Sequence, residues 1–95
     1  MAKLIQVDIV SATSAVWSGQ AVQVSARTRI GEIGILAGHE PVLGLLASGT
    51  VRVTTESGEK IIVTAEEGFI SFDHDTVTIV APDASIAESA TPTFH

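Results

Sequence analysis

Cysteine is absent from this 95-residue chain. That excludes disulfides, thiolate nucleophiles and cysteine-based metal centres, and it fits a reducing compartment. Cations are scarce. Lys3, Arg27, Arg29, Arg52 and Lys60 stand against eleven acidic residues, for a net charge of −6. No basic patch exists to neutralise phosphates, so nucleic acid is excluded as a partner. Long apolar runs are missing too. No stretch approaches the ~20 residues that span a bilayer, and the N-terminal MAKLIQVD lacks an apolar segment long enough for a signal peptide. No window of eleven or more residues keeps a helical period with caps, so helix is not expected.

A catalytic set is missing as well. Of the three histidines, His95 is terminal and His74 lies between Asp73 and Asp75. Asp-His-Asp reads as a solvated turn rather than a metal site. His39 has no Ser, Thr or Lys beside it in an activating context, which leaves it a structural or interface role. Gly31-x-x-Gly34-x-x-x-Gly38 lacks the Lys-Ser/Thr ending of a phosphate loop and opens no helix. A cupin-like metal enzyme would need paired histidines on one strand, which are not there. Neither metal nor cofactor is expected.

What the chain does have is apolar alternation. Hydrophobic residues make up 45% and charged residues 17%, with a mean hydropathy of +0.41. That is high for a small soluble monomer and implies burial against partner proteins. Ile5, Val7 and Ile9 alternate with Gln6 and Asp8, Val22 and Val24 with Gln23 and Ser25, and Val51 and Val53 with Arg52 and Thr54. Period 2 marks half-buried strands. Turn signals fall at Glu56–Glu59, Glu66–Gly68 and Asp73–Asp75. Many short strands with regular turns predict one all-β domain, a two-layer β-sandwich of short, mostly antiparallel strands. Its expected core is Val7, Ile9, Val22, Val24, Val51, Val53, Ile62, Ile70, Val77 and Ile79, with Trp17 packed in. Phe69 and Phe72 fall on opposite strand faces, so one of them is free to meet a partner. Arg27 and Arg29 share one side of a strand and read as a solvated pair. The domain is expected over 1–87, with a short polar tail over 88–95 that is poorly ordered from Thr91.

The segment Gly31–Leu46, GEIGILAGHEPVLGLL, stands out. It is punctuated like a surface loop, yet it carries Ile33, Ile35, Leu36, Val42 and Leu43. Its glycines mark points of positive φ or close backbone approach. Such a loop either tucks into its own core or is covered by another protein.

GEIGILAGHEPVL resembles the signature of the epsilon subunit of F-type ATP synthases. VDIVSATSAVWSG (7–19), SGTVRV (48–53), EGFISF (67–72) and TVTIVA (76–81) resemble the neighbouring strands in the family's order and spacing, over roughly Leu4 to Ala87. RTRIGEIGIL with Trp17-Ser18-Gly19 upstream looks like the actinobacterial branch. Where the family more often has proline before the glycine of the loop, this chain has Ala37. The resemblance implies a non-catalytic rotor subunit, peripheral to the cytoplasmic face of a bacterial membrane. It would clamp the gamma subunit to the ring of c-subunits and so couple proton flow to ATP synthesis in the alpha/beta head. It implies a c-ring-facing surface of Glu32, Ile33, Gly34, Ile35 and His39, with Glu32 facing polar, Arg-rich loops, and a gamma-facing surface that includes Ser11. It does not extend to the inhibitory C-terminal helical hairpin, since the chain stops about where that hairpin begins. Without the resemblance, the residues also suit a free-standing all-β module that binds a protein or ligand through Gly31–Leu46.

Overall fold

Alternation sets the strands. The computed structural model describes residues 3–90, with backbone alone at 87–90. In β1 (Ile5–Val10), Ile5, Val7 and Ile9 are buried, while Gln6, Asp8 and Val10 lie on the outer side. The same rhythm forms β3 (Gln23–Thr28), β7 (Phe69–Asp73) and β8 (Thr76–Val80). The others are β2 (Ala15–Ala21), β4 (Gly31–Ile35), β5 (Val42–Thr54), β6 (Lys60–Glu66) and β9 (Asp83–Ala90). No helix occurs among the described residues.

Two layers result. One runs β2-β1-β8-β7-β5 and the other β4-β3-β5-β6-β9, so β5 belongs to both. Its first residues, Val42–Leu45, pair with β7, and Gly49–Thr54 pair with β6. A straight 13-residue strand would reach about 40 Å, as long as the molecule's greatest extent of 38 Å. The strand bends between the layers instead. Every pairing is antiparallel except β1 with β8. The facing sides enclose Ile5, Val7, Ile9, Val24, Ile35, Leu46, Val51, Val53, Val63, Ile70, Phe72, Val77 and Ile79, each at most 2% exposed.

Two expected core positions are corrected. Val22 is half-buried because it forms the corner between β2 and β3, where Ala21 and Val24 point inward three residues apart. Its N–H bonds the Thr54 carbonyl at 2.8 Å. Ile62 is also half-buried; Ile61 and Val63 supply the inward phase of β6. Trp17 packs half-buried against the core. A Cβ on Gly19 would come within 3.0 Å of its ring. β9 pairs with β6 as far as Ala90, beyond the boundary expected at 87. The expectation for Thr91–His95 lies outside the described residues.

Candidate partner-binding surfaces

Gly31–Leu46 is mostly strand. Residues 31–35 form β4 and Val42 opens β5, which leaves 36–41 as the loop. In β4 the strand period separates side chains that a loop would present together. Ile33 and Ile35 lie opposite Ala26 and Val24 of β3 and turn inward. Ile35 is fully buried, and Ile33 is half-buried against the core. Neither is the outward apolar anchor expected of it. Glu32 and Gly34 are exposed. The Glu32 Oε1 accepts a hydrogen bond from Arg52 Nη2 at 3.0 Å, and Arg27 is its cross-strand partner. Glu32 therefore offers a partner a charge cluster with two cations, not a lone acid.

His39 is exposed at the tip of the loop, yet it is held from below. Its ring meets Phe72 edge-on at 5.8 Å and 90°, and Nδ1 lies 2.7 Å from the Glu40 carbonyl. The preceding Gly38, at φ +86°, donates its N–H to Asp75 Oδ1 at 2.9 Å. His74 meets Asp73 at 3.0 Å in the β7–β8 turn. Glu32 and Gly34 thus lie on β4, the edge strand of the second layer, and the loop that follows carries His39 across to β7 of the first.

The largest apolar exposure lies elsewhere. Leu43 is 74% and Leu45 60% exposed on the outer side of β5. With Gly44 and Phe69 they line a groove of about 410 Å³. Register carries the feature across the first layer. Leu45 lies opposite Phe69, Phe69 opposite Val80, and Val80 opposite Val10. The next row is Leu43, Ser71, Thr78, Asp8 and Ser18, where Ser18 donates to Asp8 at 2.7 Å. The fully exposed Ile30 of the β3–β4 turn lines an adjoining hollow with Leu43 and Leu45. Ser11 follows Val10 at the far end of the apolar row, half-buried, its hydroxyl donating to the Ser14 carbonyl. Sequence reasoning missed Leu45 and Ile30, although the run VLGLL has apolar residues in both strand phases, so one phase had to face outward.

Among the described residues, no group of three or more His, Asp or Glu side chains converges to hold a metal. The β-sandwich domain model of the ATP synthase delta/epsilon chain matches residues 4–87. The chain belongs to that family. Within it, the ATP synthase epsilon chain of Streptomyces griseus is 43% identical over 88 residues, 93% of this chain and 71% of that one. The epsilon chain of Micrococcus luteus is 49% identical over 86 residues, 90% of this chain and 94% of that one. The architecture matches a chain of the Euglena gracilis mitochondrial ATP synthase with a TM-score of 0.82 at 27% identity. That match covers 87% of this chain and about half, 53%, of the Euglena one. A chain in the central stalk/c-ring structure of the Tetrahymena thermophila mitochondrial ATP synthase shares the fold at a TM-score of 0.69 and 14% identity, over 87% of this chain and 66% of that one. In this delta/epsilon domain Glu32 lies on β4 of the second layer, His39 is held against β7 of the first, and the apolar row at Leu45 and Phe69 lies on the outer side of the first.

Proposed function

We infer that the chain is a non-catalytic central-stalk subunit of a proton-translocating F-type ATP synthase. It joins the gamma subunit to the c-ring so that both turn together, at the cytoplasmic face of the bacterial membrane. Family membership carries this reading, and the surfaces suit it. A clamp needs two separate contacts, and the chain has two unlike outward surfaces to offer. The apolar row of Leu43, Leu45 and Phe69, leading toward Ser11, suits a permanent partner such as gamma, because obligate interfaces are the more hydrophobic ones. The edge with Glu32, Gly34 and His39 suits the polar loops of the c-ring, where charge sets register and orientation more than affinity. Ile33 and Ile35 act behind that edge, as its packing.

Co-purification with the gamma subunit tests the assignment. Leu43→Asp combined with Leu45→Asp should keep the fold, since both side chains are exposed, and should abolish capture by gamma. Full capture by the folded double variant would remove gamma from this face. Failure of the unaltered chain to bind gamma at all would favour the free-standing binding module.

A further inference from the structure

The turn between β7 and β8 is an unusual place for its residues. Asp73 and Thr76 pair across a two-residue loop, and both loop residues have positive φ, His74 at 51° and Asp75 at 56°. That is the pattern of a hairpin turn whose second central position is normally glycine, and Asp there, though tolerated, is less favourable than glycine. Asp75 nevertheless does two jobs at this corner. Its carbonyl accepts the Gln6 N–H at 2.9 Å, which ties the turn to the start of β1. Its carboxylate accepts the Gly38 N–H at 2.9 Å, from a loop 37 residues earlier in the chain. Glycine in place of Asp75 would keep the first contact and lose the second. Gly38 is itself at positive φ, in a turn closed by the His39 N–H to the Leu36 carbonyl at 3.1 Å, and the Asp75 carboxylate is the acceptor that its own amide meets. The next residue, His39, rests edge-on against Phe72, just before the same turn.

We propose that Asp75 is a positioning residue for the loop 36–41, with the strain of the β7–β8 turn retained so that a side-chain acceptor stands beneath Gly38. The role in coupling rests on reading that loop as c-ring-facing. Strain kept at one point to over-determine the geometry of another is how proteins build pre-organised contact sites. A loop ordered before contact loses less freedom on binding than one ordered by it. Asp75 touches no partner itself. It fixes the direction in which His39 and the polar edge meet one.

Two variants separate the parts of the argument. Asp75→Asn keeps an acceptor, removes the charge and suits positive φ. Asp75→Gly removes the acceptor while relieving the backbone. Hydrogen exchange at the Gly38 amide, read by NMR on the full chain, should accelerate about tenfold in Asp75→Gly and stay within about twofold in Asp75→Asn. The thermal midpoint of Asp75→Gly should equal or exceed that of the unaltered chain. In the assembled ATP synthase, Asp75→Gly should lower the protons pumped per ATP hydrolysed, and Asp75→Asn should restore them. Unchanged Gly38 exchange in Asp75→Gly overturns the positioning role outright. Faster exchange with an unchanged pumping ratio leaves the tie standing and overturns the reading of this loop as the c-ring contact.

Discussion

Gly68 is the residue the fold can least replace. It sits at φ +104°, and a Cβ there would lie 2.1 Å from the Val80 carbonyl oxygen and 2.7 Å from Ala81 Cα, both backbone atoms. Its carbonyl accepts the Leu46 N–H at 3.0 Å, next to the point where β5 changes layers. Gly68→Ala should therefore cost roughly 3 kcal/mol or more, from left-handed backbone and overpacking together, read as a fall in the urea midpoint. Gly34→Ala is the contrast. Gly34 has ordinary backbone, and its nearest neighbour is the movable Gln23 amide at 3.7 Å, so its midpoint should stay within about 0.5 kcal/mol of the unaltered chain. A second pair separates packing from docking. Ile35→Ala empties a fully buried site and should cost about 2–5 kcal/mol of stability. Leu43→Ala truncates a side chain that is 74% exposed, so it should barely move stability and yet weaken gamma binding. Denaturant titration alongside a gamma-binding isotherm reads both.

Strand edges carry the weaker forces. Glu32 and Arg52 are 65% and 51% exposed, so their ion pair contributes under about 1 kcal/mol and less in salt. Glu32→Gln should lower the thermal midpoint slightly at low salt and not at all at high salt. Where β6 meets β9, Glu66 lies opposite Asp83, and like charges across a ladder destabilise it. Asp83→Lys should raise stability by a few tenths of a kcal/mol, most visibly at low ionic strength. The same elements show what the sequence made legible. Strands with one apolar phase, such as β1, β3 and β8, were readable because only one register buries them. In β6 the run Ile61-Ile62-Val63 is apolar in both phases, and the choice of Ile61 and Val63 is made by partner strands. In Gly31–Leu46 the glycines and Pro41 concealed two strands, so Ile33 and Ile35 read as outward anchors. β9 is Ala- and Ser-rich with little strand propensity of its own; the ladder offered by β6 makes it a strand. Family resemblance pointed to Glu32 and His39, but it did not disclose their ties to Arg52 and Phe72, which join residues far apart in the chain.

At the scale of the whole molecule, the sandwich presents two unlike outward features, an apolar row on the outer side of the first layer and a charged pair at β4 with a tethered loop beside it. A clamp of the kind proposed would pass force through the core between them, where buried side chains of both layers pack against one another and β5 runs through both. Torque passed between two partners needs that arrangement more than it needs any reactive group. The most direct measurement is the ratio of ATP-driven proton pumping to ATP hydrolysis in membranes whose ATP synthase is rebuilt with this chain or with its Leu43→Asp, Leu45→Asp variant. The clamp account predicts that the unaltered chain restores pumping, and that the variant leaves hydrolysis running while pumping is lost. Pumping at the full ratio with the variant, or with the chain left out altogether, would contradict it.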